Sequence, residues 1–328
     1  MTKLVTKIGI DISKLSFDVC YVLENGTEKF YKCENTKSGI KSFIASLPKD
    51  CHCVMEATGV YHTKLAYALF DEGISVSVVN PLVIKNYSRM LMLRTKTDKA
   101  DATLIRSYAE TIGGKLSLWE PTEDCYIAIR QKLNTIEAFE CSIQVFENQL
   151  ESITNSKVQD KLVTKELKKQ ISSMRNSIEK LEDEIEDELN KRDKDLVDKV
   201  RSIPGVGKKV SIAVITATKG FEKFENYRQL SSYFGLCPRV FESGSSIKSK
   251  AHICKMGMSK VRQLLYCAAL SASQFNPACR DLYHRLIAKG KAKKIALVAV
   301  ANKLIKQIFA IAKSRAPFNK YLHLELVG

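Results

Sequence analysis

The sequence lacks the features that mark secreted, zinc-binding and disulfide-stabilised proteins. Its ten cysteines are scattered, and no two of them have the CxxC spacing of a structural zinc site. Cys51-His52-Cys53 is too tight for that spacing, and we interpret it as part of a buried strand. We therefore expect reduced thiols in the protein core rather than disulfides or zinc ligands.

The chain also lacks an apolar run approaching the roughly 18 residues of a membrane-spanning helix, and its N-terminus has no signal-peptide core. Acidic residues are outnumbered, with 36 aspartates and glutamates against 52 lysines and arginines, a net charge of +16. This excess indicates a polyanionic partner, and nucleic acid is a simpler choice than a membrane surface. The 328 residues have room for about two domains. We expect a cytoplasmic protein.

The first 122 residues are predicted to combine strands and helices. Asn25-Gly26 is a strong hairpin signal between two alternating stretches. In chain order, the predicted elements are strands at 4–13, 16–23 and 27–33, a helix at 38–47, a strand at 51–55, a helix at 62–72, a strand at 74–79 and helices from Pro81 onward. This is the order of the ribonuclease H-like fold, an α/β domain with a mixed sheet and helices on its faces.

Four carboxylates would converge in that fold. Asp11 lies near the end of the first strand, and Glu56 ends the fourth, which would run beside it. Asp98 and Asp101 share one face if their segment is helical. Such a cluster stays ionised only with cations, and hard oxygen ligands suit Mg²⁺ or Mn²⁺. Two such ions about 4 Å apart can activate a nucleophile and stabilise a leaving oxygen in phosphoryl transfer.

Each acid also has an ordinary explanation. Asp98 and Asp101 fit a solvated helix start with lysines and arginines nearby, Asp11 fits a strand-end turn, and Glu56 fits a helix cap. The four acids together favour a metal site, because the fold would bring them to one edge of the sheet.

From Ile136 the apolar spacing changes to three and four. One block runs to Ile153 and another covers 167–185, which is heptad spacing typical of coiled coils. The polar stretch 154–166 between them predicts two packed helices, although one interrupted helix fits the same register. We assign residues 123–195 to a helical coiled-coil arm that serves assembly.

The remaining residues, 196–328, are predicted to form a mostly α domain. Ile203-Pro-Gly205-Val-Gly207 precedes an apolar helix, and a Pro-Gly-x-Gly turn between helices presents backbone N–H groups to a phosphate. This resembles the helix-hairpin-helix motif of DNA-binding proteins, and Lys208 and Lys209 favour phosphate binding. A plain turn before a buried helix is the alternative.

Ser243 stands in a glycine-containing segment, Glu242-Ser243-Gly244-Ser245-Ser246, that is rich in cations on either side. A hydroxyl there is placed to attack a phosphodiester, and the cations would offset the charge developing on the phosphate. The same segment is equally a flexible basic loop that binds phosphate. The expected nucleic-acid contacts in this domain are Gly205, Gly207, Lys208, Lys209, Arg239, Lys248, Lys250, Lys255 and Arg262.

Together these motifs resemble the DEDD-type transposases of the IS110 insertion-sequence family, also described as bridge-RNA-guided recombinases. The matching pieces span nearly the whole chain. They are Gly9-Ile-Asp11, Met55-Glu56-Ala-Thr-Gly59, Lys96-Thr-Asp98-Lys-Ala-Asp101, Ile203-Pro-Gly-Val-Gly207, Gly235-Leu-Cys-Pro238, Ser243-Gly244 and the run from Ile253 to Arg262. Met258 departs from the family, which usually has a polar residue there.

The resemblance implies a RuvC-like domain at 1–122 whose four acids bind Mg²⁺. It also implies a serine that becomes covalently joined to DNA, at the position of Ser243, with Ser245 and Ser246 as close alternatives. The implied partners are double-stranded donor and target DNA, a structured noncoding guide RNA, and further copies of the chain in a dimer to tetramer. In that assembly, the acids of one subunit meet the serine of another.

The leading hypothesis is a site-specific DNA transposase or recombinase that excises and inserts a mobile element. One alternative is a metal-dependent nuclease, like a Holliday-junction resolvase, in which water attacks and Ser243 only binds phosphate. The other is a non-catalytic nucleic-acid-binding scaffold, which predicts that the acids bind no divalent metal.

Overall fold

The structure, a computed structural model, describes residues 5–23, 25–93, 97–239, 242–243, 247–248 and 252–320. Side chains of six residues within these ranges are outside the description: Asp98, Arg239, Glu242, Ser243, Ile247 and Lys248. The contacts divide the chain into two units, Met1–Thr122 and Glu123–Gly328. The first is mixed α/β and the second is mostly helical, in agreement with the prediction at this level.

Unit 1 is built on a five-stranded sheet. Its strands, in the spatial order β3-β2-β1-β4-β5, are antiparallel from β1 to β3, while β4 and β5 run parallel to β1. The elements are β1 (Thr6–Ile12), β2 (Ser16–Val22), β3 (Glu28–Glu34), α1 (Lys37–Ala45), β4 (Cys51–Glu56), α2 (Thr63–Asp71), β5 (Ser75–Val79), α3 (Pro81–Met90) and α4 (Asp98–Ile112).

Residues of β1 alternate between the two faces of the sheet. Ile8, Ile10 and Ile12 are buried on one face, in a cluster that includes Phe17 and Phe43. Lys7, Gly9 and Asp11 therefore belong to the other face, because successive side chains of a strand point to opposite sides.

His52 lies inside a polar network near the start of β4. Its Nδ1 accepts a hydrogen bond from Lys7 Nζ at 2.9 Å, and its Nε2 lies 2.8 Å from Ser77 Oγ. Ser77 Oγ in turn donates to the carbonyl oxygen of Ser117 at 2.7 Å, so His52 Nε2 acts as the donor to Ser77. Burial, followed by the charge of Lys7, lowers the pKa of His52 to about 4.

Unit 2 contains seven helices and four two-residue strands among its described residues. They are α5 (Asp124–Thr154), α6 (Lys161–Arg201), α7 (Lys208–Thr218), α8 (Tyr227–Tyr233), β6 (Pro238–Arg239), β7 (Glu242–Ser243), β8 (Ile247–Lys248), β9 (His252–Ile253), α9 (Ser259–Phe275), α10 (Pro277–Ala288) and α11 (Lys293–Ser314). The short strands, which the sequence analysis did not predict, pair as β6 with β9 and β7 with β8.

The helices α5 and α6 form a long hairpin. The predicted heptad blocks are thus two helices, and Asp160 caps the second by accepting from the backbone N–H groups of Leu162 and Val163. Lys132 of α5 is ion-paired with Glu188 of α6 at 2.6 Å, within the same unit. The assembly role of the arm stays a prediction.

One described helix, α11, is long and apolar enough to cross a membrane by length and composition alone. The sequence of α11 is not a continuous apolar run, because Lys303 and Lys306 interrupt it, and no such helix was expected. Leu297, Val300 and Leu304 of this helix are buried in the core of unit 2. Its apolar character is therefore accounted for by packing inside the unit.

The His52 network predicts how the stability of unit 1 depends on pH. The pKa of His52 in the folded protein, about 4, lies below its value in the unfolded chain. The free energy of unfolding therefore has its full value above about pH 6.5 and decreases by about 3 kcal/mol as the pH falls to 4. Denaturant unfolding from pH 7 to pH 4 measures this loss. In His52→Gln, the decrease over the same range should be smaller, and parallel curves for the two proteins would contradict the assignment.

Candidate active site

The strand register brings Asp11 beside Glu56. β1 and β4 run parallel, with Gly9 opposite Val54 and Ile10 opposite Met55. Continuing this register by one residue places Asp11 next to Glu56, the last residue of β4. Both acids are half-buried. The fold thus brings two of the four predicted acids to the ends of neighbouring strands.

The helix α4 crosses the face of the sheet to which Gly9 and Asp11 belong. A Cβ atom added to Gly9 would lie 2.2 Å from the carbonyl oxygen of Ala102 and 2.4 Å from the backbone nitrogen of Arg106. The backbones of α4 and β1 therefore touch, which only glycine permits at this position.

The other two acids lie at the start of α4. Asp98 is its first residue, one turn before Ala102, and Thr97 caps the helix by accepting from the N–H of Ala100. The half-buried Asp101 immediately precedes Ala102. The N-terminal turn of α4, with both acids, therefore directly precedes the contact with Gly9.

A polar network also ties α4 to β2 and β3. Arg106 donates to Glu110 at 2.6 Å and to Glu28 of β3 at 3.3 Å. Cys20 of β2 donates to the same carboxylate at 3.1 Å, and Thr103 of α4 donates to the sulfur of Cys20. The hydrogen bond from Cys20 and the charge of Arg106 hold the pKa of Glu28 below its usual value.

Convergence of all four acids on one ion remains a prediction. Among the side chains that the structure describes, a set without Asp98, no three histidine, cysteine, aspartate or glutamate residues form a group able to hold a metal ion. The structure places Asp11 beside Glu56 and sets α4 on the same face of the sheet.

One acid that the sequence analysis missed lies beside this pair. Asp18 of β2 is directly opposite Asp11, and it is 6% exposed. Lys32, opposite Asp18 on β3, holds its ammonium group 3.5 Å from the carboxylate. The alternation along β2 carried this signal, because Asp18 is flanked on both sides by residues of the apolar face.

Ser243 lies in β7, where it is paired with Ile247 of β8. Its side chain and those of Arg239 and Lys248 are outside the described part of the structure, as are Ser245, Ser246 and Lys250 entirely. The choice of nucleophile among the three serines stays a prediction.

The strands β6 and β9 are joined closely to the turn after α8. Gly235 and Gly257 both have positive φ. A Cβ atom added to Gly235 would lie 2.5 Å from the carbonyl oxygen of Met256, and one added to Gly257 would lie 2.3 Å from the carbonyl oxygen of Tyr233. Arg262 donates to the carbonyl oxygen of Phe234 at 3.0 Å. Of the predicted nucleic-acid contacts here, Lys255 is exposed, whereas Arg262 is half-buried and holds this turn.

The turn between α6 and α7 packs on α9 through Gly205. Its φ is +98°, and an added Cβ would lie 2.7 Å from the Cβ of Ala272. Gly207, by contrast, is exposed at the start of α7, and an added Cβ would meet no described atom within 4 Å. Of the two glycines predicted to contact a phosphate, Gly207 is the accessible one.

Lys208 and Lys209 are ion-paired within unit 2. Lys208 Nζ lies 2.7 Å from Glu186 and 2.9 Å from Asp183, and Lys209 Nζ lies 2.9 Å from Glu182. These hydrogen bonds raise the pKa of both lysines. Their charges are thus largely balanced by acids of α6, and their contact with phosphate stays a prediction.

Two family models match the chain. The model of the DEDD transposase of IS110 matches residues 8–156. The model of the transposase IS116/IS110/IS902 family matches residues 197–284. The pilin gene-inverting proteins of Moraxella bovis and Moraxella lacunata are each 31% identical, over 97% of this chain and 99% of theirs. The transposase for insertion sequence element IS1111A of Coxiella burnetii is 26% identical, over 93% of this chain and 88% of its own.

The contact at Gly9 predicts a strong effect of one methyl group. Gly9→Ala should push α4 away from β1, destabilise unit 1 by about 1–3 kcal/mol, and weaken the Mn²⁺ binding that is predicted for the acids. Gly114→Ala is the matched control, since an added Cβ there meets no described atom within 4 Å. Denaturant unfolding and Mn²⁺ calorimetry measure both effects, and a Gly9→Ala variant with unchanged stability would show that α4 does not rest on β1.

The two glycines of the α6–α7 turn should behave differently. Gly205→Ala should lower the free energy of unfolding by about 2–3 kcal/mol. Alanine disfavours the positive φ at this position, and its Cβ would clash with the Cβ of Ala272. Gly207→Ala should leave stability within about 0.5 kcal/mol of wild type, because φ is −88° there. If both variants lose stability equally, the packing of this turn differs from that described. DNA binding by folded Gly207→Ala tests the phosphate role separately.

Proposed function

Because the chain belongs to the IS110 family of transposases, we propose that it is a site-specific DNA recombinase that excises and inserts its own mobile element. The observation that carries this proposal is the arrangement in unit 1, where the register sets Asp11 beside Glu56 under the helix that bears Asp98 and Asp101. The sheet order β3-β2-β1-β4-β5 supports its assignment as a RuvC-like domain.

The four acids fit a divalent cation by their chemistry. They supply only carboxylate oxygens, the donors that Mg²⁺ and Mn²⁺ prefer. A divalent ion held by Asp11, Glu56, Asp98 and Asp101 would polarise the scissile phosphate and stabilise the leaving oxygen. The protein's own part is to fix α4 through Gly9, Arg106 and Cys20, so that the acids on the helix stay over the sheet edge.

Ser243 is the proposed nucleophile. Its Oγ would attack the scissile phosphorus, forming an O–P bond as the bond to the leaving deoxyribose oxygen breaks. The serine hydroxyl would lose its proton to solvent, and the leaving oxygen would take one up from solvent to become a hydroxyl. The product is a phosphodiester between serine and DNA, so the energy of the broken bond is retained. The strand can therefore be rejoined to new DNA without an external energy source. Lysines and arginines that flank Ser243 in the sequence, among them the exposed Lys255, would offset negative charge on the phosphate.

The proposed partners are donor and target DNA, a structured noncoding guide RNA, and other copies of the chain. The net charge of +16 supports nucleic-acid partners. Phe139, Phe146 and Leu150 in the C-terminal half of α5 are only half-buried within unit 2, which supports an assembly role for the arm at 123–195. The serine domain at 196–328 would then meet the acids of another copy.

The relatives named for pilin gene inversion favour a reaction that cuts and rejoins DNA at defined sites. A second candidate, a metal-dependent junction nuclease, is favoured by the same acids but uses water as the nucleophile. The two differ in the covalent product, because only the serine reaction leaves protein joined to DNA.

The covalent step predicts a loss that is specific to one serine. With end-labelled element DNA, guide RNA and Mg²⁺, wild type should form an adduct visible on a denaturing gel, and Ser243→Ala should form less than about one hundredth as much, since its nucleophile is absent. Ser245→Ala and Ser246→Ala are matched controls that should retain the adduct.

Other outcomes would favour the other readings. An undiminished adduct from Ser243→Ala, lost instead in one of the controls, would move the nucleophile to Ser245 or Ser246. Cleavage without any adduct would favour the nuclease. Asp11→Asn that cleaves at the wild-type rate would remove the metal site.

A further inference from the structure

A row of four charged residues crosses the sheet of unit 1 on the face covered by α4. Lys32 of β3 is opposite Asp18 of β2, and Asp18 is opposite Asp11 of β1. The parallel register continues this row to Glu56 of β4. Directly opposite residues share a face of the sheet, so the row reads cation, acid, acid, acid.

The position of Asp18 in this row has an electrostatic cost. Carboxylates directly opposite each other on antiparallel strands have Cβ atoms about 4.5–5.5 Å apart, and such like charges are destabilising. Asp18 is also 6% exposed, and burying a charge costs free energy unless a counter-ion is near. Lys32 supplies one at 3.5 Å, although its own side chain is 55% exposed.

We propose that Asp18 and Lys32 are a pair of positioning residues that set the divalent-ion affinity of the Asp11 site, with opposite signs. This rests on the proposed function, because it takes Asp11 as a metal ligand. Asp18 adds negative potential at Asp11 and draws a cation toward it. When no metal ion is bound, the positive charge of Lys32 partly balances the acids of the row. When a metal ion binds, the same charge repels it and lowers its affinity.

A purely structural ion pair predicts something else. Breaking it from either side would loosen β2 and β3, and any effect on metal binding would then have the same sign in both variants. The direction of the two changes therefore separates an electrostatic role from a structural one.

Calorimetric titration of Mn²⁺ into the full-length protein without nucleic acid tests this. Asp18→Asn should weaken Mn²⁺ binding about tenfold and Lys32→Gln should tighten it severalfold, as expected for one unit charge at this range in a partly solvated site. The double variant should bind nearly as wild type does. Lys29→Gln is the matched control, because Lys29 lies on the same strand over the rings of Tyr21 and Tyr31, and it should change nothing.

The outcomes distinguish this inference from the proposed function. If wild type binds Mn²⁺ and both variants shift in one direction, or neither shifts, the Asp18–Lys32 assignment is wrong and the recombinase proposal stands. If wild type binds no Mn²⁺, the metal site and this inference both fail. Should Asp18→Asn not fold, Lys32→Gln still decides, since weaker or unchanged binding would overturn the assignment.

Discussion

The contact between the backbones of α4 and β1 at Gly9 is the constraint on which the arrangement of unit 1 depends. No side chain separates helix from strand there, and an added Cβ would lie 2.2 Å from Ala102 O. The start of α4, which carries two acids, is therefore positioned by main-chain packing, while Arg106 joins α4 to Glu28 of β3 and Thr103 joins it to Cys20 of β2. The proposed metal site would need such support, because the short side chains of Asp98 and Asp101 could not compensate for a misplaced helix.

Unit 2 uses the same device at two of its turns. Gly205 brings the α6–α7 turn against α9, and Gly235 and Gly257 bring β6 and β9 against the end of α8. The acidic part of α6 balances the charges of Lys208 and Lys209. The positive charge proposed to attract nucleic acid would therefore reside on other residues, such as the exposed Lys255.

Local patterns in the sequence were enough to predict the strands of unit 1 and the helices α5 and α6. Short apolar or alternating runs and heptad spacing each arise within a single element, so they can be recognised without knowing what it packs against. The strand order of the fold predicted that the strands carrying Asp11 and Glu56 are neighbours, and the structure adds the register between them. Partners distant in sequence were not predictable in this way. The pairing of Lys208 with Asp183 depends on how α7 docks on α6, and the short strands β6–β9 occur in a serine- and lysine-rich segment without strand periodicity. Asp18 was missed because an acid within an apolar strand has no motif of its own.

The central claim is that Asp11, Glu56, Asp98 and Asp101 share one divalent-ion site. Anomalous scattering from crystals of the protein soaked in Mn²⁺ measures this directly, because it locates the ion without assuming its ligands. We predict a peak within about 2.5 Å of carboxylate oxygens from β1, β4 and the first turn of α4. A peak elsewhere, with these four carboxylates turned to separate partners, would contradict the claim.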